Sequence, residues 1–252
     1  MAGVVERAAA DGSGPHAGAR VVGLMPNSGG WAELVPLQTG NLAVLPDGVP
    51  FEQAATLPVA GLTALYTLEK RGSLLGRRVL VTGASGGVGM FALQLARAGG
   101  AHATGLVHRP EKRDPVVPLA DAVVVGATAE VAKDHGPFDI ILESVGGDVL
   151  STALELLALD GTLVTYGTSA QATSTINVQP FYGKGGLSIV GFILFHELKH
   201  EPAGSGLKRL VDRLAAGQIK VRIDHVLPFA KISEAAERLW NRGVTGKLVV
   251  TL

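Results

Sequence analysis

The sequence predicts an α/β protein with a doubly wound parallel sheet, flanked by two β-rich chain ends. From residue 76 to residue 216, near-continuous apolar strands alternate with helices, which is typical of a parallel sheet covered on both faces. The chain has 34 glycines and only 5% aromatic residues, which favours tight turns between strands and helices. Both ends of the chain instead have the pattern of short strands and turns.

Composition excludes several classes of protein. Of the 252 residues, 47% are hydrophobic and 17% are charged, so the chain can bury a sizeable core. Lys and Arg number 22, as do Asp and Glu, and this balance argues against a nucleic-acid or membrane-surface partner. Cysteine is absent, which excludes disulfides and Cys-ligated metal centres. Without a long apolar run or a signal-peptide pattern, we expect a cytoplasmic protein.

The chain ends are predicted to form one smaller β-rich domain. Near the start, the predicted strands are residues 3–6, 20–24 and 31–36, with turns at 11–15 and 26–30. Near the end, strands are predicted at 221–227 and 247–252, around a helix at 233–241. We therefore expect residues 1–51 and 221–252 to form this domain.

Residues 52–220 are predicted to form the doubly wound domain. Apolar runs predict strands at 78–82, 102–107, 122–125, 138–142, 162–167 and 187–194. Helices are predicted at 52–55, 59–70, 88–98, 149–157 and 207–216.

The strongest local motif lies where strand 78–82 meets helix 88–98. It is Thr-Gly-Ala-Ser-Gly-Gly-Val-Gly, residues 82–89, and Ala84 replaces the first glycine of a Gly-x-Gly-x-x-Gly pattern. A diphosphate binds to bare backbone amides at a helix N-terminus, and glycines remove side chains that would block it. The predicted diphosphate-binding residues are Ser85, Gly86, Gly87, Val88 and Gly89. The alternative is a glycine-rich turn without a ligand.

Cationic residues follow the second strand of the predicted sheet. In a dinucleotide fold an acid there reads the free 2′-hydroxyl of the ribose. Here His108, Arg109, Lys112 and Arg113 follow strand 102–107, and no acid comes directly after it. Because cations favour a 2′-phosphate, we predict NADP(H) rather than NAD(H). A solvated basic loop is the alternative.

Three shorter patterns suggest other chemistry and are set aside. Tyr66-Thr-Leu-Glu-Lys70 resembles the Tyr-x-x-x-Lys of short-chain dehydrogenases, but it precedes the glycine loop instead of following it. His196-Glu-Leu-Lys-His200 matches a zinc-protease pattern, but Pro202 limits any helix to one turn, so no metal site is expected. Residues 83–87 match Gly-x-Ser-x-Gly, but no acid-then-His order follows, which favours a loop role for Ser85.

Four stretches in order resemble the medium-chain dehydrogenase/reductase superfamily, in its zinc-independent, quinone-oxidoreductase-like branch. They are Ala-Thr-Leu-Pro-Val-Ala-Gly-Leu-Thr-Ala at 55–64, the glycine loop at 83–89, Phe-Asp-Ile-Ile-Leu-Glu-Ser-Val-Gly-Gly at 138–147, and Gly-Lys-Leu-Val-Val at 246–250. The resemblance covers essentially the whole chain. It implies a Rossmann domain and a GroES-like barrel with the cofactor in the cleft between them. Residues 1–50 resemble only the later part of that barrel, so we expect a partial barrel.

The resemblance also implies an activity and a set of site residues. The activity is NADPH-dependent reduction of a quinone or an activated C=C bond, usually by a homodimer acting on a small apolar carbonyl compound or quinone. By matching position, Thr63 would touch the nicotinamide region, and Ser144, Val145 and Gly146 would border the nicotinamide ribose. The next strand end would be lined by Tyr166, Gly167 and Thr168, the pocket wall would contain Phe192 and Ile193, and Lys247 would lie near the cofactor. Tyr166 is the candidate proton donor if its hydroxyl faces the pocket. Otherwise it is a core aromatic residue.

Two other functions stay open from the sequence alone. One is a non-redox relative that keeps the nucleotide pocket as a sensor or scaffold for partners. The other is a cyclase-like enzyme acting on a polyketide-type intermediate, for which a bulky apolar ligand beside Phe192 and Phe195 would be expected.

Overall fold

The structure is a computed structural model that describes residues 1–27 and 29–252. Ser28, in the predicted turn at 26–30, lies outside the described residues. The chain divides into two compact units: Met1–Leu62 with Leu194–Leu252, and Thr63–Ile193. No helix among the described residues is both long enough and apolar enough to cross a bilayer.

Strands and helices alternate through the middle of the chain. Residues 1–27 and 29–252 contain eleven strands: β1 (Ala2–Val4), β2 (Arg20–Gly23), β3 (Leu42–Val44), β4 (Arg78–Val81), β5 (His102–Val107), β6 (Ala122–Val125), β7 (Phe138–Glu143), β8 (Leu157–Thr165), β9 (Ser188–Gly191), β10 (Ile223–Pro228) and β11 (Lys247–Thr251). They contain eight α-helices: α1 (Phe51–Ala54), α2 (Leu62–Glu69), α3 (Gly87–Ala98), α4 (Gly147–Glu155), α5 (Val178–Lys184), α6 (Leu194–Glu197), α7 (Ala203–Ala215) and α8 (Ile232–Trp240). A π-helical turn spans Leu57–Gly61, and short 3₁₀ turns include Thr39–Asn41 and Ala129–His135.

The unit Thr63–Ile193 contains a six-stranded sheet in the order β6-β5-β4-β7-β8-β9, with every neighbouring pair parallel. Val81, the last residue of β4, lies opposite Gly105 on one side and Leu142 on the other. The strand order reverses between β4 and β7, and ligands bind in the crevice at the carboxyl ends of the strands at such a point. The predicted doubly wound parallel sheet is confirmed.

Apolar side chains on both faces of this sheet explain the near-continuous hydrophobic strands. On one face, Leu80, Phe138, Ile141 and Leu163 form a buried cluster with residues of α4 and of the Ala129–His135 turn. On the other face α3 packs against β4 and β5, and its side chains from Met90 to Ala96 are buried. The two covered faces fix the register of the strands, because a one-residue slip would exchange them.

The unit of the chain ends contains two small sheets. Strands β1, β2 and β3 form an antiparallel sheet, and β10 pairs with β11 in parallel. Helix α7 packs on β3 and buries Leu207 and Leu210. It begins at Ala203, one turn earlier than the predicted start at 207, because Ala203 and the glycine after it fit closely against the chain at residues 40–42. The Ala203 amide donates to Asn41 Oδ1 at 3.4 Å.

Outside the parallel sheet, one predicted strand is wrong, and β3 and α5 were not predicted. Residues 31–34 form bends and residues 35–36 have no regular structure, and Trp31 and Leu34 are 73% and 72% exposed. Their apolar alternation therefore faces solvent. The structure instead has a strand at Leu42–Val44, paired with β2, which the sequence did not predict. Helix α5 was also missed, because Pro180 and Gly183 within it are poor helix formers.

The bounds of several elements also differ from prediction; the predicted strand 162–167, for example, is the later part of β8 (Leu157–Thr165). The predicted helix 149–157 corresponds to α4, which ends at Glu155, because Leu157 already pairs with Phe138 as the first residue of β8. The predicted strand 187–194 corresponds to β9, which ends at Gly191, because Leu194 begins α6.

Replacement of Phe138 tests the contribution of the buried cluster. Phe138 is fully buried, so Phe138→Ala should lower the free energy of unfolding by about 3–5 kcal/mol through lost burial and a residual cavity. Urea denaturation measures the change. The control Leu159→Ala, at a side chain that is 70% exposed, should change the same quantity by less than about 0.5 kcal/mol. A loss below about 1 kcal/mol for Phe138→Ala would contradict this view of the core.

Candidate functional site

The glycine loop leads from β4 into the first turn of α3. The Gly86 carbonyl accepts the first helical hydrogen bond, from the Met90 amide at 3.0 Å. The amides of Gly87, Val88 and Gly89 precede that bond, so no carbonyl within the helix can accept them. Three successive donors at a helix N-terminus form a ready anion site.

Gly89 lets this helix start close to the loop. A Cβ on Gly89 would lie 2.6 Å from Gly83 O and 2.7 Å from Ala84 Cα. Both contacts are to backbone, so any side chain here would push the helix start away from the strand. The close helix–strand packing that a diphosphate cradle requires is therefore present.

Ala84, the one departure from the Gly-x-Gly-x-x-Gly pattern, does not obstruct the loop. Its side chain is fully buried, and its amide donates to Leu106 O at 3.1 Å. A Cβ added to Gly105 of β5 would lie 3.1 Å from the Ala84 methyl, so the missing side chain of Gly105 gives that methyl its space. Because the methyl is enclosed, a ligand approaching from solvent does not meet it.

The loop that follows β7 directs its amides inward. The Ser144 amide donates to Thr82 Oγ1 at 3.1 Å. The Val145 and Gly146 amides both donate to Glu143 Oε1, at 2.6 and 3.0 Å. The three amides of this loop that precede α4 therefore each have a side-chain acceptor.

The same loop is also held through its carbonyl groups. Ser144 O accepts the Ser169 amide at 2.9 Å, and Val145 O accepts the amides of Ala170 and Gln171 at 2.9 and 3.2 Å. Gly146 has a φ of 79°, and a Cβ there would overlap the carbonyl oxygen of Gln171. Residues 144–146 are thus hydrogen-bonded on one side to Thr82 and Glu143 and on the other side to residues 169–171.

Glu143 is a site residue that the sequence reasoning missed. It is fully buried at the end of β7, and Thr82 Oγ1 also donates to its Oε1, at 3.3 Å. Its Oε2 is buried and has no hydrogen-bond partner in the part of the chain that the structure describes. Burial raises the pKa of Glu143, and the donating amides of Gly146 and Val145 oppose that shift. The sequence signal that could have identified Glu143 is an acidic residue at the end of an apolar strand.

Tyr166, the candidate proton donor, has an enclosed hydroxyl. The hydroxyl is buried, without a hydrogen bond of good geometry to any other residue in 1–27 or 29–252. Burial raises the pKa of Tyr166 to about 12, while the neighbouring Ser144 hydroxyl lowers it and the Glu143 charge raises it. The Tyr166 amide donates to Glu143 O at 2.9 Å. Its role as an acid stays a prediction.

The cationic segment after β5 also carries acids that the sequence reasoning passed over. Arg109 pairs with Glu111 at 3.5 Å, and Arg113 with Asp114 at 3.6 Å. His108 and Arg109 are exposed and Lys112 is half-buried. Exposed pairs of this kind contribute less than about 1 kcal/mol, so an incoming phosphate can displace the acids.

The remaining predicted contacts lie in different elements. Thr63 is buried in α2, where its carbonyl accepts from Thr67 Oγ1 at 2.7 Å. Phe192 is buried just after β9, with Lys70 Nζ 6.0 Å from its ring centroid. Lys247 begins β11 in the unit of the chain ends, and burial lowers its pKa. Their roles toward a cofactor stay predictions.

The His-Glu-x-x-His pattern lies on the single turn of α6 and the residues after it. The rings of His196 and His200 are in edge contact, with centroids 5.4 Å apart. Among the described residues, no three His, Asp or Glu side chains come together in a way that could hold a metal ion.

Comparison with known proteins relates this geometry to a family. The family model for zinc-binding dehydrogenases matches residues 120–250. The quinone oxidoreductase of Pseudomonas aeruginosa is 28% identical over 99% of this chain and 79% of its own length. The acryloyl-coenzyme A reductase of Sulfurisphaera tokodaii is 29% identical over 88% of this chain, which spans 65% of that enzyme. The quinone oxidoreductase of Thermus thermophilus, solved also as its NADPH complex, is 35% identical over all of this chain and 79% of its own, with a TM-score of 0.85.

The pH dependence of stability tests the environment of Glu143. Because its pKa is raised in the folded state above the ordinary 4.5, folding favours the protonated form. The stability it contributes is present below pH 4.5 and is lost as pH rises through the folded pKa. Glu143→Gln stays neutral at every pH. The free energy of unfolding of Glu143→Gln, minus that of the wild type, should therefore increase as pH rises from about 4 to about 8.

Urea titrations at several pH values measure this difference. Glu155→Gln, at an exposed residue on the last turn of the neighbouring helix α4, is the matched control and should show a much smaller slope. A flat or reversed slope for Glu143→Gln would contradict the raised pKa.

Proposed function

Because the chain belongs to the medium-chain dehydrogenase/reductase superfamily, as a quinone-oxidoreductase-like member, we propose that it transfers hydride from NADPH to a quinone or an activated C=C bond. The coarser activity, that of an NADP(H)-dependent oxidoreductase, follows from the family. The finer substrate class and the independence from zinc are the proposal.

The amides of Gly87, Val88 and Gly89 are the observation that carries the proposal. They are the first-turn donors of α3, they follow the strand at the reversal of the sheet order, and Gly89 keeps them close to the loop. A dinucleotide diphosphate is the anion that this arrangement suits. Arg109 and Lys112, after the neighbouring strand, would then meet the 2′-phosphate.

The other residues would orient the reacting end of the cofactor and exclude water. NADPH supplies the hydride, and the protein supplies its position. The hydrogen-bonded residues Ser144, Val145 and Gly146 would border the nicotinamide ribose, together with the chain from Tyr166 to Thr168. Buried Phe192 would offer an apolar wall, which suits a small apolar carbonyl compound or quinone.

The domain assignment and location are part of the same proposal. The functional domain bounds stay a prediction: residues 52–220 for the dinucleotide-binding domain and residues 1–51 with 221–252 for the GroES-like domain. The compact units of the structure divide instead after Leu62 and before Leu194. A cytoplasmic location stays a prediction.

A homodimer is proposed through the outer edge of β9. This strand is the last of the six-stranded sheet, and no described strand pairs with its outer edge. Ile189 in its centre is 39% exposed. An open strand edge with apolar side chains favours pairing with another chain, and a second copy of the same edge is a symmetric partner.

One structural observation favours the non-redox alternative. The hydroxyl of Tyr166 is enclosed, so the side chain proposed from the sequence as a proton donor is not exposed, and water is the alternative donor. A protein that binds NADPH without reducing quinones or enones would fit a nucleotide-dependent sensor or scaffold.

Nucleotide binding and turnover test the proposal. Wild-type protein should bind NADPH and oxidise it with at least one member of a quinone and enone panel. The double variant Arg109→Glu, Lys112→Glu should weaken NADPH binding by about tenfold to a hundredfold and change NADH binding by less than about twofold, because only NADPH carries the 2′-phosphate. Calorimetric titration and absorbance at the nicotinamide band measure the two effects.

The control for this charge reversal is Lys133→Glu, at an exposed lysine of the same unit, which should change neither affinity. Absence of any nucleotide binding by the wild type would remove the proposal. Binding without turnover on the whole panel would replace it with the scaffold function.

The oligomeric state tests the β9 edge. Sedimentation should give about twice the chain mass of 25.9 kDa for the wild type. Ile189→Lys should shift the protein to the monomer, because a lysine on an edge strand opposes pairing. Val131→Lys, at another partly exposed apolar residue of the same unit, should leave the mass unchanged. A monomeric wild type, or a dimeric Ile189→Lys variant, would contradict this interface.

A further inference from the structure

Two loops at the reversal of the sheet order lead into helix N-termini. The loop after β4 leads into α3, where the first-turn amides of Gly87, Val88 and Gly89 have no helical acceptors. The loop after β7 leads into α4, and the amides of Val145 and Gly146, just before that helix, donate to the side chain of Glu143. A side chain of the protein itself therefore shapes the second loop.

Glu143 lies just before the start of α4. The helix has nine residues and begins at Gly147, directly after the two amides that Glu143 Oε1 accepts. The contact from Val145 N is 2.6 Å, shorter than the roughly 2.9–3.0 Å that is typical of N–H···O hydrogen bonds. A carboxyl group of the chain itself thus fixes the backbone that leads into this helix.

We propose that Glu143 is a positioning residue of the cofactor site: its carboxyl oxygen accepts the amides of residues 145 and 146, and so holds this loop in the position in which it borders the nicotinamide ribose. This inference rests on the proposed function, because it takes NADPH as the ligand. It adds a residue that neither the glycine motif nor the cationic segment contains.

The hydrogen bonds of Thr82 connect this role to the glycine loop. Thr82 lies at the end of β4, donates to Glu143 Oε1 at 3.3 Å and accepts the Ser144 amide at 3.1 Å. On the other side of the same loop, the carbonyls of Ser144 and Val145 accept amides of residues 169–171. The loop after β7 is therefore hydrogen-bonded to Glu143 and Thr82 on one side and to residues 169–171 on the other. Without the acceptor oxygen of Glu143, it would lose two of the hydrogen bonds on the first side.

The effect should be confined to one half of the cofactor. The predicted contacts to the 2′-phosphate follow β5, and no hydrogen bond or ion pair among the described residues links Glu143 to that segment. Removal of the acceptor should therefore weaken binding of the whole dinucleotide but spare its adenosine half. A general loss of folding would weaken both equally.

The experiment compares NADPH with 2′,5′-ADP, which lacks the nicotinamide half, on wild type, Glu143→Ala and Glu143→Gln. Glu143→Ala should weaken NADPH binding by about tenfold, because it leaves the amides of Val145 and Gly146 without an acceptor, and change 2′,5′-ADP binding by less than about twofold. Glu143→Gln keeps an acceptor oxygen and should restore NADPH binding to within about threefold of the wild type. Fluorescence of the bound nicotinamide, which reports the environment of that half alone, should be altered by Ala and retained with Gln.

Two further variants keep the test decisive. Glu155→Gln, on the helix that follows the loop, should match the wild type for both ligands. If Glu143→Ala does not fold, Thr82→Val removes the bridging hydroxyl and should weaken NADPH by a smaller factor while sparing 2′,5′-ADP. Equal weakening of both ligands, unchanged NADPH binding, or a Gln variant as weak as Ala would each overturn the inference. A wild type that binds neither ligand would instead remove the proposed function.

Discussion

The pairing of backbone amides at the carboxyl ends of β4 and β7 governs how this site is built. Buried amides must be paired, whereas amides at an open helix start can be left for a ligand. Both cases occur here, after the neighbouring strands β7 and β4. Glu143 and Thr82 accept the amides that follow β7, while the amides that begin α3 have no acceptor within the helix.

Two buried polar groups without hydrogen-bond partners lie at the same strand ends, and each lowers the stability of the fold. Glu143 Oε2 and the Tyr166 hydroxyl are both buried without partners within the described ranges, and each such group costs about 1–3 kcal/mol. Glu143 is the last residue of β7, and Tyr166 directly follows the neighbouring strand β8. The Tyr166 amide donates to Glu143 O. Unsatisfied buried groups are rare in native proteins and need an explanation. A requirement to hold the loop between them in one position would provide it.

Close packing around the glycine loop also fixes the position of the first turn of α3. The Ala84 methyl lies close to Gly105 of β5, where a side chain would crowd it, and Gly89 allows α3 to start against the carbonyl of Gly83. A substitution at Gly105 or Gly89 would move the first turn of α3 relative to the strand. The shape of the cradle is therefore set by residues on two strands and a helix, and the glycine motif is only one part of it.

Prediction from sequence succeeded where local pattern and burial agree. The strands β4, β5 and β6 and helix α3 are nearly at their predicted positions, because both faces of this sheet are covered and apolar runs report that directly. It failed at 31–36, where apolar residues alternate but face solvent, and at α5, where Asn177 caps a helix despite a proline and a glycine inside it. Local patterns do not state what a side chain packs against.

The order and spacing of residues along the chain were enough to specify the strand–turn–helix with its glycine loop, the parallel sheet and the family. Three features of the site became visible only in the folded chain: Glu143 accepts the amides of the second loop, the Tyr166 hydroxyl is enclosed, and acids share the cationic segment. Each of these depends on groups from separate strands or turns meeting in space, where burial and neighbouring donors set both charge and hydrogen bonding.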